Sequence, residues 1–203
     1  MNERAPGQSK KEAIPEKSVS ISQWAEENGR DSLLNYIRSA RVLNDRMGID
    51  PNQVEYDTKL RMVRFETQFQ EVYRGYTSEE TGLSQGGVAL LLLDTTSGAL
   101  AMTVGEPDDM PVHAIVSAEY PKPLLDLPAP LIISSRIEEP TAEELAKNKR
   151  AMVIVSEITQ AGDVCVRTRS ILTRMTGPAA KRIIQGRVRE VESYLANQES
   201  SEG

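Results

Sequence analysis

Apolar residues recur along this chain with two different periods, and the change of period divides it into segments. Between residues 22 and 47 they return every three or four positions, which predicts amphipathic helix. Asn28 and Gly29 predict a break in this helix, with Asp31 as the N-cap of its second part, and Gly48 predicts its end. The first part of the chain is therefore expected to be helical.

A period of two begins near residue 60. Over residues 60–73, Val63, Phe65 and Thr67 lie on one side of the chain, which predicts a half-buried strand. The same alternation predicts four more strands, over 112–120, 129–138, 150–159 and 163–174. A hairpin turn at 161–163 is expected to join the last two strands.

The longest apolar segment lies between the first of these strands and the others, and it predicts a central helix over about 86–103. The helix begins at Gly86 and Gly87, where the lack of side chains lets a ligand approach the backbone. The first turn of a helix has unpaired N–H groups, and the helix dipole adds positive potential there. Such donors favour a carbonyl oxygen that gains negative charge during a reaction. Tight packing of the helix start on a strand is the alternative reason for the glycines.

Asp94 is the single acid in this segment and directly follows four leucines. It lies seven residues after Gly87, about two helical turns on, and so projects from the same side as the helix start. A carboxylate in apolar surroundings costs free energy unless it has a partner or a chemical role. Oxyanion donors with a carboxylate nearby favour acyl chemistry; a structural acid bonded to a facing subunit is the alternative.

The two ends of the chain are more polar than its middle. Residues 1–20 predict a disordered tail, and 21–59 an N-terminal helical extension. Residues 176–203 predict a C-terminal helix and a polar tail. In the segment between two of the strands, Thr141 and Glu144 match the capping box of a short helix.

Composition restricts the class of protein. The 203 residues are 39% hydrophobic and 27% charged, as expected of one globular domain with extensions. A formal net charge of −6 argues against nucleic acid as a partner. We find no apolar run approaching the roughly 20 residues of a membrane span. The N-terminus has no apolar signal-peptide region, so we expect a cytoplasmic protein.

His113 is the only histidine and Cys165 the only cysteine, which limits the available chemistry. A multi-histidine metal site and an intrachain disulfide are excluded, and no cofactor-binding glycine motif is present. A Ser-His-Asp relay would have to use His113, and no nucleophile-elbow motif occurs. We expect His113 to be a surface or dimer-edge residue, and Cys165 to be exposed or a small packing residue. Any catalysis is then expected to use carboxylate and backbone groups.

One strand, a long helix and four antiparallel strands is the element order of an α+β hotdog fold, in which an antiparallel sheet wraps around a long central helix. Hotdog-fold acyl-CoA thioesterases of the phenylacetate-degradation type carry a His-Gly-Gly…Ala-Asp-Ser/Thr motif on this helix. The chain resembles that motif at 85–87 (Gln-Gly-Gly) and 93–95 (Leu-Asp-Thr). The Tyr-Pro-Lys-Pro sequence at 120–123 is similar to that family's Tyr-x-Arg-Pro strand end. The resemblance covers about 60–175, the expected thioesterase domain.

The resemblance also implies a site and its partners. The N–H of Gly87 and the side-chain amide of Gln85 would polarise a thioester carbonyl, with Gly86 and Thr95 against the substrate. Asp94, contributed by the partner subunit, would act on water as a general base or attack directly. The implied substrate is an acyl-CoA or a related acyl thioester. The implied assembly is a homodimer or a dimer of dimers, without a cofactor.

Two other hotdog functions stay open. A non-catalytic protein that binds an acyl chain or an acyl-carrier protein is favoured by Gln85, because it stands where the family has a histidine and cannot titrate. A dehydratase or hydratase would use a histidine with an acid, and His113 is not expected beside the helix motif. Hydrolysis assays across an acyl-CoA panel would separate the first alternative from a thioesterase.

Overall fold

A computed structural model describes residues 18–70, 73, 86–106 and 109–199, without the side chains of 41–43, 195, 198 and 199. Three of the expectations above lie wholly or partly outside these residues: the N-terminal tail (1–17), Gln85, and the end of the polar C-terminal tail (200–203).

The described strands form one seven-stranded sheet in which every pair of neighbours is antiparallel. In chain order they are β1 (Ser18–Ser20), β2 (Glu55–Asp57), β3 (Met62–Thr67), β4 (Met110–Glu119), β5 (Leu131–Glu138), β6 (Met152–Gln160) and β7 (Asp163–Met175). Their order across the sheet is β1-β2-β3-β5-β6-β7-β4. The five predicted strands are thus present as β3 to β7. Four of them lie within two residues of the expected bounds, whereas β3 ends at Thr67, six residues before the predicted end at 73.

The described helices lie before, between and after these strands. They are α1 (Ile21–Glu27), α2 (Asp31–Ser39), α3 (Arg41–Arg46), α4 (Gly86–Val104), α5 (Ala142–Lys147) and α6 (Pro178–Glu199). The predicted central helix is α4, and α5 has the predicted capping box between Thr141 and Glu144. Ala161 and Gly162 both have positive φ, of 52° and 87°, which a type I′ hairpin turn between β6 and β7 requires.

The core lies between α4 and the sheet. Leu92 and Leu100 of α4 are fully buried, as are Ile133 of β5 and Ile158 of β6. Each such side chain contributes about 1.5–3 kcal/mol by leaving water, so this layer holds the helix in place. The expectation that no apolar run approaches the length of a membrane span is wrong, because among the described helices α4, with 19 residues, is long and apolar enough to cross a membrane. In the fold, 61% of its apolar stretch is buried, as in a core helix.

The N-terminal extension differs from its prediction in two respects. Gly29 breaks the helix as expected, with φ of 61°, but Asp31 is the first residue of α2 and not its cap. The cap position belongs to Arg30, whose side chain instead donates a hydrogen bond to the carbonyl oxygen of Gly105. The extension also adds strands β1 and β2 to the sheet, so residues 18–20 are not part of a disordered tail.

The C-terminal helix α6 packs on α2 and leaves most of its surface in solvent. Ala180 and Ile184 are its buried residues among those whose side chains are described. Its basic residues are exposed, as expected of a solvated helix face: Lys181, Arg182, Arg187 and Arg189.

Candidate active site

The first turn of α4 combines an open glycine with a tightly packed one. A Cβ atom on Gly87 would meet nothing within 4 Å, and the residue is exposed. A Cβ atom on Gly86 would lie 3.3 Å from Oη of Tyr120, which donates a hydrogen bond to the carbonyl oxygen of Gly86 at 3.3 Å. The two interpretations of the glycine pair, tight packing and access for a ligand, thus each fit one residue. Gly86 packs against Tyr120, and the backbone at Gly87 faces open space.

A cavity of about 250 Å³ adjoins this helix start. It is lined by Gly86, Ala89, Tyr120, Lys122, Pro123, Leu124 and Val166. The fold therefore brings together the two segments that carry the sequence resemblance, the glycine turn and the Tyr-Pro-Lys-Pro segment. Lys122 is held at the rim by an ion pair with Asp163, with Nζ and Oδ2 2.6 Å apart.

Asp94 lies on the same exposed stripe of α4 as Gly87 and Leu91. The sequence predicted an acid in apolar surroundings, and this is wrong for the single chain, because 53% of the Asp94 side chain is exposed. The reason is helical geometry: positions 87, 91 and 94 share one face, and the sheet covers the opposite face. Seven residues at 1.5 Å each separate Gly87 from Asp94 by about 10 Å along the axis, so one small group cannot contact both within one chain.

His113 lies directly beside Asp94. Its Nδ1 is 2.8 Å from Oδ1 of Asp94, and its Nε2 is 3.1 Å from Oγ of Ser97. The expectation that His113 would not lie beside the helix motif is therefore wrong. Because β4 is an edge strand, the alternative that His113 is a dimer-edge residue stays a prediction. The cause is topological: after the turn that follows α4, strand β4 returns along the helix and carries His113 back to its third turn.

Asp94, His113 and Ser97 are the residue types of a serine-hydrolase triad, but here the acid is exposed and the serine is buried. The Asp94 side chain is 53% exposed and that of His113 21%. Ser97 is 1% exposed, and it also donates to the carbonyl oxygen of Asp94 at 3.0 Å. In a serine hydrolase the hydroxyl is accessible and the acid is buried behind the imidazole. Here the carboxylate is the accessible end, so Ser97 is excluded as a nucleophile.

The other candidate side chains have structural partners. Thr95 and Thr96 each direct the hydroxyl to the carbonyl oxygen four residues earlier, at 3.0 Å. Such bonds are usual for threonine within a helix, and the substrate contact of Thr95 stays a prediction. Cys165 is buried, and burial raises the pKa of its thiol, so it is a packing residue with little thiolate character.

Tyr36 of α2 was not predicted to lie near this site. A Cβ atom on Gly98 would come within 2.6 Å of its Oη, so the ring packs directly on α4. Burial raises the pKa of the Tyr36 hydroxyl, and the negative charge of Asp94 raises it further. Nothing in the local sequence of α2 indicates this long-range contact.

Among the described residues, no group of three or more His, Cys, Asp or Glu side chains is arranged to hold a metal ion.

No protein-family profile matches the chain, and no curated protein is similar to it in sequence. Several solved structures are similar in fold. A thioesterase superfamily protein shares 24% identity with a TM-score of 0.47; 59% of this chain is covered, and the chain spans 52% of that protein's length. A phenylacetic acid degradation-related protein from Ralstonia eutropha JMP134 shares 14% identity with a TM-score of 0.47, over 58% of this chain and 79% of that one.

A thioesterase from Haemophilus influenzae shares 13% identity with a TM-score of 0.50, over 66% of this chain and 82% of that one. At 13% identity, the likeness to this last thioesterase concerns the fold alone. Together with the sheet order and the long helix packed against the sheet, it confirms the fold class that the sequence predicted. The chain has the hotdog fold of the thioesterases it resembles, an antiparallel sheet around the central helix α4.

Proposed function

We propose that this protein hydrolyses acyl thioesters at a site completed by a second copy of the chain. The observation that carries the proposal is the exposed stripe of α4, which presents the open backbone of Gly87 and the accessible carboxylate of Asp94 on one face. Thioester hydrolysis needs stabilisation of the charge that develops on the carbonyl oxygen and activation of a nucleophile, and these two groups can supply both.

A second copy is needed because the two groups lie about 10 Å apart along one helix. Strand β4 ends the sheet and pairs only with β7 among the described strands. Its residues Ile115 and Val116 are 54% and 49% exposed, an unusual state for a ten-residue apolar strand at a sheet edge. Pairing of two β4 edges would cover these residues and bring the two α4 stripes together, as a homodimer or within a dimer of dimers.

In this assembly Gly87 and Asp94 act on one thioester from opposite sides. The N–H of Gly87, assisted by the amide of Gln85, donates to the carbonyl oxygen as it gains charge. Asp94 of the partner subunit takes a proton from water, and the resulting oxygen nucleophile forms a bond to the carbonyl carbon. The carbon–sulfur bond then breaks and the thiolate leaves without a strong acid, because thiols are fairly acidic. In the second form of the same proposal, the carboxylate attacks the carbonyl carbon directly, the thiolate leaves, and water hydrolyses the resulting anhydride to release the acid and restore Asp94.

Acyl-CoA is the substrate class that the motif resemblance favours. The cavity beside Gly86 is large enough for part of such a ligand, at about 250 Å³, and Lys122 supplies a cation at its rim. A non-catalytic protein that holds an acyl chain or an acyl-carrier protein would use the same cavity without needing the carboxylate. The two functions therefore differ in their dependence on Asp94.

The test is release of free thiol from a panel of acyl-CoA and acyl-N-acetylcysteamine thioesters, with light scattering on the same samples. We expect turnover and a dimer or tetramer. Ile115→Glu would place a charge at the β4 edge, and we expect it to lower both the molecular mass and the turnover. A wild-type protein that binds acyl-CoA without releasing thiol would support the binding function instead. An active, monomeric protein would overturn the shared site.

A further inference from the structure

We infer that His113 is a positioning residue that holds one oxygen of Asp94 and leaves the other free for the reaction. The inference rests on the proposed function, because it concerns the orientation of the proposed base. It is carried by two contacts of the same imidazole: Nδ1 with Oδ1 of Asp94 at 2.8 Å, and Nε2 with Oγ of Ser97 at 3.1 Å.

The hydrogen bonds of Ser97 make this support independent of the charge on the imidazole. A hydroxyl has one hydrogen to donate, and Oγ of Ser97 lies within reach of both Nε2 of His113 and the carbonyl oxygen of Asp94, 3.0 Å away. If the hydroxyl donates to Nε2, the ring is neutral and carries its hydrogen on Nδ1. If the hydroxyl donates to the carbonyl, Nε2 must donate to Oγ; because an ionised carboxylate can only accept, the contact of Nδ1 with Asp94 then requires a hydrogen on Nδ1 as well. Nδ1–H donates to Asp94 in either state.

The surroundings support a fixed ring. Ser97 is 1% exposed in the third turn of α4, so the hydroxyl that contacts Nε2 is held in place by its packing in either state. The Asp94 side chain is half exposed and would otherwise sample several rotamers in solvent. A hydrogen bond to Oδ1 therefore selects an orientation, and Oδ2 remains on the accessible side. This corresponds to the usual role of a second group that orients a catalytic one.

Three substitutions separate positioning from proton transfer by the imidazole itself. His113→Asn keeps an N–H donor at the place of Nδ1, because both nitrogens are attached directly to Cγ. His113→Gln places its amide nitrogen at the level of Nε2 and so keeps only the contact with Ser97. His113→Ala removes both contacts. We expect Ala and Gln to lower kcat by about 10–100-fold with KM nearly unchanged, and Asn to recover most of that loss.

Two kinetic outcomes would overturn the inference. If Asn and Gln are both as slow as Ala, the imidazole transfers protons and does more than position Asp94. If all three variants match the wild type, His113 has no role in the reaction. Because His113 is the only histidine in the chain, its ring nitrogens give unique NMR signals. We expect the wild type to carry a proton on Nδ1 and Asp94→Ala to lose it; an unprotonated Nδ1 in the wild type would contradict the geometry.

The NMR measurement also separates this inference from the proposed function. A protein without thioesterase activity but with a protonated Nδ1 would refute the function and, with it, any role of His113 in that reaction. An active protein without the Nδ1 proton would retain the function and refute the positioning role.

Discussion

Replacement of Gly98 by alanine tests how the N-terminal extension packs on the central helix. A Cβ atom on Gly98 would lie 2.6 Å from Oη and 3.2 Å from Cζ of Tyr36. Separations below 3.0 Å do not occur for real Cβ atoms, so the tyrosine or the helix has to move. Tyr36 lies between α2 and α4, where a shift of its ring disturbs both helices.

Two opposing effects determine the size of the change. Glycine within a helix is about 1 kcal/mol less favourable than alanine, so the substitution gains that amount in helix propensity. Inserting a methyl group into a packed region costs about 1–3 kcal/mol. The control is Gly186→Ala in α6, where a Cβ atom would meet nothing within 4 Å and only the propensity gain applies. The difference between the two variants thus isolates the packing cost, about 1–3 kcal/mol.

The assay is urea or thermal unfolding of the wild type and both variants at equal protein concentration. We expect Gly186→Ala to be slightly stabilised and Gly98→Ala to melt lower than this control by about 2–12 °C, from about 2–4 °C per kcal/mol in a chain of this size. Equal stability of the two variants would refute the reasoning, because it would mean that Tyr36 does not pack on α4.

Two further predictions concern parts of the fold away from the proposed site. The Arg169 guanidinium and the N-terminus of α5 lower the pKa of Glu144 from 4.5 to about 2. The ionised Glu144 side chain therefore stabilises the fold above about pH 4.5, and this stabilisation is lost as the pH falls towards 2. The difference in melting temperature between the wild type and Glu144→Gln should shrink over that range of pH. Deletion of 1–17 should leave the melting temperature and the turnover unchanged, because that segment is polar. Deletion of 1–20 should lower the melting temperature, because it also removes β1. Equal effects of both deletions would contradict the pairing of β1 with β2.

The sequence predicted those elements that are long enough to show a period. Strands β3 to β7 have six residues or more, and the central helix has 19 residues and begins at a glycine pair. β1 and β2 have three residues each, too few to distinguish alternation from chance. They are recognisable only because they pair with each other and with β3.

Local patterns also predicted which residues of α4 are special, but not what surrounds them. The surroundings of Asp94 were predicted wrongly, because leucines adjacent in sequence point in different directions around a helix: Leu92 and Leu93 are buried, and Leu91 is exposed. The contact of His113 with Asp94 joins residues of different elements, and its formation depends on how β4 returns along α4. Such a contact has no signature in local spacing. The subdivision of the chain into a thioesterase domain and two extensions stays a prediction.

The most direct test of the account is the turnover of Asp94→Asn. The amide keeps the size of the carboxylate and removes its charge and basicity. Glu66→Gln, which neutralises an exposed acid on β3, is the matched control. Folding, molecular mass and substrate binding are measured on the same samples, so that a loss of structure is not mistaken for a loss of chemistry.

The account predicts that Asp94→Asn folds and assembles as the wild type does, binds acyl thioester with similar affinity, and loses turnover by at least about a hundredfold, because the lost interaction belongs to the transition state. The control should retain full turnover. A folded Asp94→Asn protein with wild-type thioester turnover would contradict the account.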